Sequence, residues 1–354
     1  MIKNPWRPGP RHRKPAKLMK PIIDPAGWVA DDLEGTDVWV YRLSEHEIAD
    51  IFDAVGSVET RGLELKTLTR DNFPLPVLAN GLSQIREELV GGRGFAIIKG
   101  LPVMERSRFQ NACAFLGIGS HVGKPISQNG KGHLLGHVKN IGGNINAPTG
   151  RGYNSSSKLT FHADGCDVLS LCCLQTAKSG GRHRICSSVA TYNNILSRRP
   201  DLADELSFRF YHTLRGELPP GTTRPWGRKP VVSVKEGYFS ARGASSTIKR
   251  GQGLPGVPKL TPAQIEAIDM YQSVSGELAL NIDFELGDIS YVYNHVILHA
   301  RSSYEDWPEP KRARHLFRLW LDTGNSRPLD AEVKAATRGI TVEGTILNTP
   351  LEAA

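Results

Sequence analysis

Apolar runs closed by glycine alternate along this chain with stretches of helical period. Gly94-Phe95-Ala96-Ile97-Ile98-Lys99-Gly100 sets four apolar residues and a lysine between glycine stops, which predicts a buried strand. Ser44 followed by Glu47 is a capping-box pattern that opens a helix through Ile48, Ile51 and Phe52. Similar periodicity predicts helices over Leu82 to Leu89, Arg106 to Leu116 and Ala190 to Leu206. Thr261-Pro262-Ala263-Gln264 combines an N-cap threonine, proline at the first helical position and glutamine at the third, and starts a helix that runs to about Val274. Strand signals dominate from Leu159 onward, with a Gly180-Gly181 turn, and return over Leu278 to Leu298 and His315 to Leu321. Helices at both ends and many strands between predict a mainly β sandwich or barrel dressed by flanking helices.

Composition narrows the class. The 354 residues are 39% hydrophobic and 23% charged, which is enough apolar material for a full core and excludes wholesale disorder. No run of about 18 apolar residues is present, so the reading is non-membrane, and no secretory h-region is seen. Five cysteines in apolar strings such as Leu171-Cys172-Cys173-Leu174 predict free buried thiols in a reducing, cytoplasmic compartment. The net charge of +8 is local. Lys3, Arg7, Arg11, Arg13, Lys14, Lys17 and Lys20 carry seven of those charges, leaving a nearly neutral body. Trp6 is the lone aromatic in that segment, which disfavours nucleic acid as the partner. The expected organisation is a flexible basic arm over 1–35, one domain with helical insertions over 36–325, and a tail over 326–354. A homo-oligomer remains open.

Three segments carry chemistry. In Phe161-His162-Ala163-Asp164 an extended backbone turns His162 and Asp164 to one side. Far downstream, Ile289 to His299 is strand-like and ends in a histidine. Two imidazoles and one carboxylate on one face form the set that holds Fe(II) with positions left open. His295 and His299 would share a face in one continuous strand, so spacing alone leaves both available. In Arg314-His315-Leu316-Phe317-Arg318-Leu319-Trp320-Leu321, alternation puts Arg314, Leu316, Arg318 and Trp320 together. A guanidinium pointing into a core needs an anion, because an unpaired buried charge is costly. That strand is suited to a dicarboxylate or an acidic substrate.

These segments, with Ala177-Lys178-Ser179-Gly180-Gly181 and Leu298-His299-Ala300-Arg301-Ser302-Ser303-Tyr304-Glu305-Asp306, resemble the taurine dioxygenase family of Fe(II)/2-oxoglutarate-dependent dioxygenases over roughly residues 90 to 323. The resemblance implies a double-stranded β-helix, or jelly roll. It implies His162, Asp164 and His299 as iron ligands, with His295 a packing residue. Arg314 would pair with the distal carboxylate of 2-oxoglutarate, and Arg318 would face substrate or cosubstrate. The threonine that the family offers to the same carboxylate falls at His183 counting from Gly180-Gly181, or at Ser187 or Ser188 counting from His162. The implied reaction uses O₂, releases succinate and CO₂, and hydroxylates a small, anionic metabolite such as an amino-acid derivative; desaturation, ring closure or a non-catalytic or nucleic-acid-directed member are the alternatives. Retention of Asp164 argues against halogenation. Gln128, Asn129, His137, Tyr153 and Asn154 lie in polar, Gly-rich segments that are candidates to touch substrate at the mouth of the barrel.

Overall fold

The computed structural model describes residues 6–143, 150–243, 246–324 and 327–353. Its centre is a pair of facing sheets. The larger has seven strands, in the order Val40–Arg42, Phe95–Lys99, Ile289–Tyr293, Val168–Gln175, His315–Asp322 and Lys124–Pro125, with Leu135–Lys139 also on His315–Asp322. The smaller runs Leu280–Ile282, His183–Ser187, Ile297–Arg301 and Leu159–His162. Together they make the expected jelly roll. Near-continuous burial of Val168–Gln175 and His315–Asp322 follows from their central places, each covered on both faces.

Local signals set most element ends. The Ser44 hydroxyl accepts from the Glu47 amide (3.3 Å) and the Glu47 carboxylate accepts from the Ser44 amide (2.8 Å), opening the helix Glu45–Arg61. Ser107 and Gln110 cap Arg108–Val122 in the same way, and Thr261 and Gln264 cap Pro262–Glu277. The expected single helix over 190–206 is two, Ser188–Arg198 and Pro200–Glu205, because Pro200 cannot continue the first. The strands expected over 278–298 are three in number, the last running on to Arg301. Gly287 and the Tyr293-to-Val296 turn, closed by Val296 N donating to Tyr293 O (3.1 Å), separate them, and the middle strand Ile289–Tyr293 joins the larger sheet while the outer two join the smaller. The helix Arg108–Val122 covers the outer face of His315–Asp322, with Phe115 stacked on Phe317 at 6.3 Å.

The amino-terminal segment differs from the flexible arm expected of it. Residues 1–5 lie outside the described residues, but 6–35 run docked over the body. Ala16, Ile22, Ala26 and Trp28 are buried in the main core, with Trp6 packed against it. Gly9 N donates to Glu88 (2.9 Å), Ala16 N to Gly237 O (2.8 Å) and Ile22 N to Asn193 (2.8 Å). Two of the basic residues are engaged in that docking: Arg11 pairs with buried Glu88 at 3.2 Å, and Arg13 lies 3.5 Å over the Tyr238 ring. Apolar residues spaced between prolines supply a burial term that regular structure does not require, and this is what a charge-based reading misses. The tail is docked too: Val333 is buried, and Pro350 O accepts from His137 (2.9 Å). All five cysteines are free and buried. Among the described residues no helix is long and apolar enough to cross a membrane.

Trp28 donates from Nε1 to Arg93 O (2.8 Å) and packs against Phe95 at 5.1 Å. Trp28→Ala should therefore lower the unfolding free energy by about 3–5 kcal/mol in urea titrations. An unchanged midpoint would show that the segment contributes no packing.

Candidate metal centre and cosubstrate pocket

His162 ends the strand Leu159–His162, and His299 sits opposite it on Ile297–Arg301 as its cross-strand partner. Their ring centroids are 4.1 Å apart. The chain leaves the sheet after His162, and the Asp164 backbone is pinned on both sides: its N donates to Asn294 Oδ1 (3.1 Å), and Arg242 donates to its carbonyl. One ligand atom from each of His162, Asp164 and His299 lies within 4.8 Å of the others.

Orientation is set by neighbours. His162 Nδ1 faces Thr160 O at 2.8 Å, so Nδ1 carries the proton and the Nε2 lone pair points towards Asp164 Oδ1, 3.8 Å away. Asp164 Oδ2 accepts from Trp320 Nε1 (2.8 Å) and faces Arg318 Nη1 at 3.6 Å, which leaves Oδ1 for a metal. Burial would raise the Asp164 pKa, but Arg318 and the two histidines hold the carboxyl well below the usual range. Burial lowers His162 and His299, keeping both imidazoles neutral and able to ligate. Two neutral imidazoles and one carboxylate from a single side match a redox-active first-row metal that keeps positions open.

A second pocket adjoins the first. Arg314 is 5% exposed; its Nη2 donates to Gly181 O (3.4 Å), and its Nη1 is buried with no partner among the described residues. A Cβ on Gly181 would lie 2.9 Å from Arg314 Nε, and φ there is +68°, so only glycine lets the guanidinium approach. Arg301, two residues beyond His299, donates from Nη2 to Ser155 O (2.7 Å) and to Ser157 O, with Nε and Nη1 left unpartnered. His183 lies across from Arg301 on the neighbouring strand, stacked on Phe284, with Nε2 buried and unpartnered. Burial, and then Arg314, push its pKa down to about 3. Unpaired donors on two buried arginines and a neutral imidazole, beside a three-ligand metal set, fit a carboxylate-bearing cosubstrate. Ser187 does not compete for that place, because its hydroxyl caps the Ser188–Arg198 helix through Ala190 N (2.9 Å).

Family comparison agrees with this geometry. Residues 59–320 match the model of the taurine catabolism dioxygenase TauD, TfdA family. The chain belongs to the TauD/TfdA family. It is therefore a non-haem iron, 2-oxoglutarate-dependent oxygenase. It is 30% identical over 321 residues to FR-33289 synthase of Streptomyces rubellomurinus, covering 88% of this chain and 93% of that protein. It is 29% identical over 316 residues to the taurine hydroxylase-like protein SAT17 of Stachybotrys chartarum, covering 86% and 80%. Solved folds of the same kind include asparagine oxygenase with Fe(II), 2S,3S-3-hydroxyasparagine and succinate (TM-score 0.62, 17% identity, covering 80% of this chain and 94% of that one). The non-haem iron oxygenase OrfP with Fe, succinate and (3S)-hydroxy-L-Arg has a TM-score of 0.60 at 16% identity, covering 85% and 99%.

The TauD/TfdA site gathers some of the residues singled out in the sequence and leaves others elsewhere. Arg318 and Gln128 meet: Arg318 Nε donates to Gln128 Oε1 (2.7 Å), and Gln128 Nε2 donates to Leu134 O and Arg318 O, both at 2.8 Å. Gln128 thus holds Arg318 and has no amide hydrogen to spare. Tyr153 joins them, its ring 4.3 Å from the Arg318 guanidinium carbon. His137 is placed elsewhere. It sits across from Phe317, on the opposite face of the strand from Arg318, and bonds to His315 at 2.8 Å. The Asn129 side chain closes a local turn by accepting from Lys131 N (3.0 Å) and His133 N (3.3 Å). Asn154 acts through its backbone carbonyl, which accepts from Ile141 N and Gly143 N. His295 lies in the turn between two strands, not on one strand with His299, and pairs with Asp167 at 2.9 Å. Arg301, Arg242, Asn294 and Trp320 had no role assigned from sequence. Alternation from His299 would have brought in Arg301, whereas Arg242 had no sequence signal.

Asp167 also accepts from Thr323 N (3.0 Å) and Oγ1 (2.9 Å). Asp167→Ala would strand His295 and Thr323 in the interior and should cost about 3 kcal/mol of stability in chemical denaturation. Asp167→Asn should cost less.

Proposed function

We propose that this enzyme hydroxylates an unactivated C–H of a small anionic metabolite, with His162, Asp164 and His299 holding Fe(II) and Arg314 with His183 holding the distal carboxylate of 2-oxoglutarate. The observation that carries the reading is the meeting of three metal-competent side chains, within 4.8 Å of one another, beside a buried Arg314 with an unpartnered nitrogen. When bound, iron with 2-oxoglutarate and O₂ supplies an oxidant able to take a hydrogen atom from carbon, with succinate and CO₂ released.

The chain's own residues bind and orient. Arg314 offers a charge-assisted contact, and His183, neutral at working pH, donates a hydrogen bond without adding charge. Trp320 fixes Asp164 by one oxygen so that the other stays directed at the metal. Arg318, steadied by Gln128 and Tyr153, sits at the metal-side carboxylate where an anionic substrate group would be received. The amino-acid products in the asparagine oxygenase and OrfP complexes support an amino-acid-derived substrate. A nearly neutral body and the internal pairing of arm arginines support a small molecule over nucleic acid, and five buried thiols support a cytoplasmic setting.

Anaerobic titration of Fe(II) and then 2-oxoglutarate, followed by the visible charge-transfer band of the chelate, tests the ligand set. His162→Ala, Asp164→Ala and His299→Ala should lose the band, and His295→Ala should keep it; the reverse for the last two would replace His299 as ligand. Arg314→Leu should weaken 2-oxoglutarate by about 30- to 1000-fold, equivalent to about 2–4 kcal/mol. Arg318→Leu should instead uncouple the reaction, giving less oxidised product per succinate. A screen of anionic metabolites by succinate release identifies the substrate, and failure of every anion to raise succinate above background would overturn the assigned substrate class.

A further inference from the structure

Basic side chains crowd the substrate side of this site without acids to match them. Arg242 follows the strand Tyr238–Ala241, is 3% exposed, and gives one nitrogen to the Asp164 carbonyl. Its Nε and Nη1 have no partner among the described residues. The Arg242 amide donates to Val231 O (2.8 Å), which draws this end of the chain against Lys229, two residues earlier in an extended segment. Arg215 lies just past the ribbon formed by Arg209–Thr213 and Trp226–Pro230, in a left-handed conformation (φ 55°) rare for a residue with a Cβ. Its Nε is also buried and unpartnered.

These charges sense one another. Burial, then Arg242 and Arg215, push the Lys229 ammonium down to about 7. Burial, then Arg151 and Arg250, push Arg215 down to about 10. Arg242 touches the Asp164 backbone, and Arg151 and Arg215 are within electrostatic reach of the same residue. The acids here are engaged: Glu217 pairs with Arg151 and accepts from Gly130 N (2.8 Å), and Asp167 serves His295 and Thr323. Holding a buried Arg242 and half-buried Arg215 and Lys229 near one shared carboxylate is unfavourable unless a ligand brings the missing negative charge. A carboxylate or sulfonate brings one. A phosphoryl or phosphonyl group brings up to two, spread over three acceptor oxygens that can meet three separate cations.

We propose that the substrate carries a tetrahedral dianion, a phosphonate or a phosphate monoester, seated by Arg215, Lys229 and Arg242. The assignment rests on the iron and 2-oxoglutarate reading for its place in the reaction, and on the unpaired cations for its chemistry. Anaerobic calorimetry on the full chain loaded with Fe(II) and 2-oxoglutarate tests it with a matched series: propylphosphonate, propyl phosphate, 1-propanesulfonate and butyrate. One or both phosphorus probes should bind about ten-fold or more tighter than the sulfonate and the carboxylate, and Lys229→Met or Arg215→Met should remove that preference. The stronger of the two phosphorus probes tells a carbon-linked group from an ester. Equal binding of all four, or preference for the sulfonate or carboxylate in the wild-type chain, overturns the proposal whatever the variants do. Loss of the charge-transfer band with the phosphorus preference intact would overturn the cofactor reading and leave this one standing.

Discussion

Burial of positive charge without an internal counter-charge is the constraint on which the site depends. Arg314, Arg301 and Arg242 are each at most 6% exposed, and each keeps at least one nitrogen with no partner among the described residues. A fold tolerates such groups only where the remaining cost is offset by packing elsewhere and recovered when a ligand arrives. Here the offset is a large apolar frame. The two sheets, the helix behind Phe317 and the docked amino-terminal segment bury dozens of aliphatic and aromatic side chains in one continuous core.

The same constraint divides the interior into territories. Arg314, Arg301 and His183 lie on one side of the His162–His299 pair, where the proposed cosubstrate carboxylate is received. Arg318 and Arg242 touch Asp164, Arg215 is within electrostatic reach of it, and Lys229 senses Arg242 and Arg215, all on the side proposed for the substrate. Between them two of the three proposed metal ligands are held by partners: Thr160 for His162, Trp320 and Asn294 for Asp164. An oxidation at an unactivated carbon needs such rigidity, because a small displacement of substrate sends the oxidant to the wrong atom.

The elements legible in the sequence were those whose signals are local. Ser44 with Glu47, Ser107 with Gln110 and Thr261 with Gln264 cap their own helices through contacts three residues apart. The alternation in Arg314 to Leu321 follows from strand geometry alone, and it put Arg314 and Arg318 on one face and Phe317 on the other. His162 and Asp164 could be paired by the same extended-chain argument, although the strand ends at His162 and contacts from Asn294 and Arg242 hold Asp164 in place. The docked segment over 6–35 was not legible, because proline and lysine suggest a solvated arm while Trp6, Ala16, Ile22 and Trp28 find their burial only against residues far along the chain. His137 was misplaced by the same kind of error: a polar residue in a polar segment was read as facing the mouth, whereas pairing opposite Phe317 turns it to the helix side.

By itself the sequence determined the jelly-roll class, the family, and the residue types from which the iron and 2-oxoglutarate chemistry is built, since these rest on spacing within short segments. The tertiary structure decided what spacing leaves open. It brought His299, and not His295, beside His162 and Asp164, because the turn at residues 294–296 ends one strand and starts another in the opposite sheet. It brought Arg301, Arg242, Arg215 and Lys229 to the site from four separate segments, because only sheet pairing and ribbon packing can gather charges so distant along the chain. Pairwise distances, burial and the lack of partners among the described residues are properties of the folded chain, and they are what support reading a list of basic residues as a binding site.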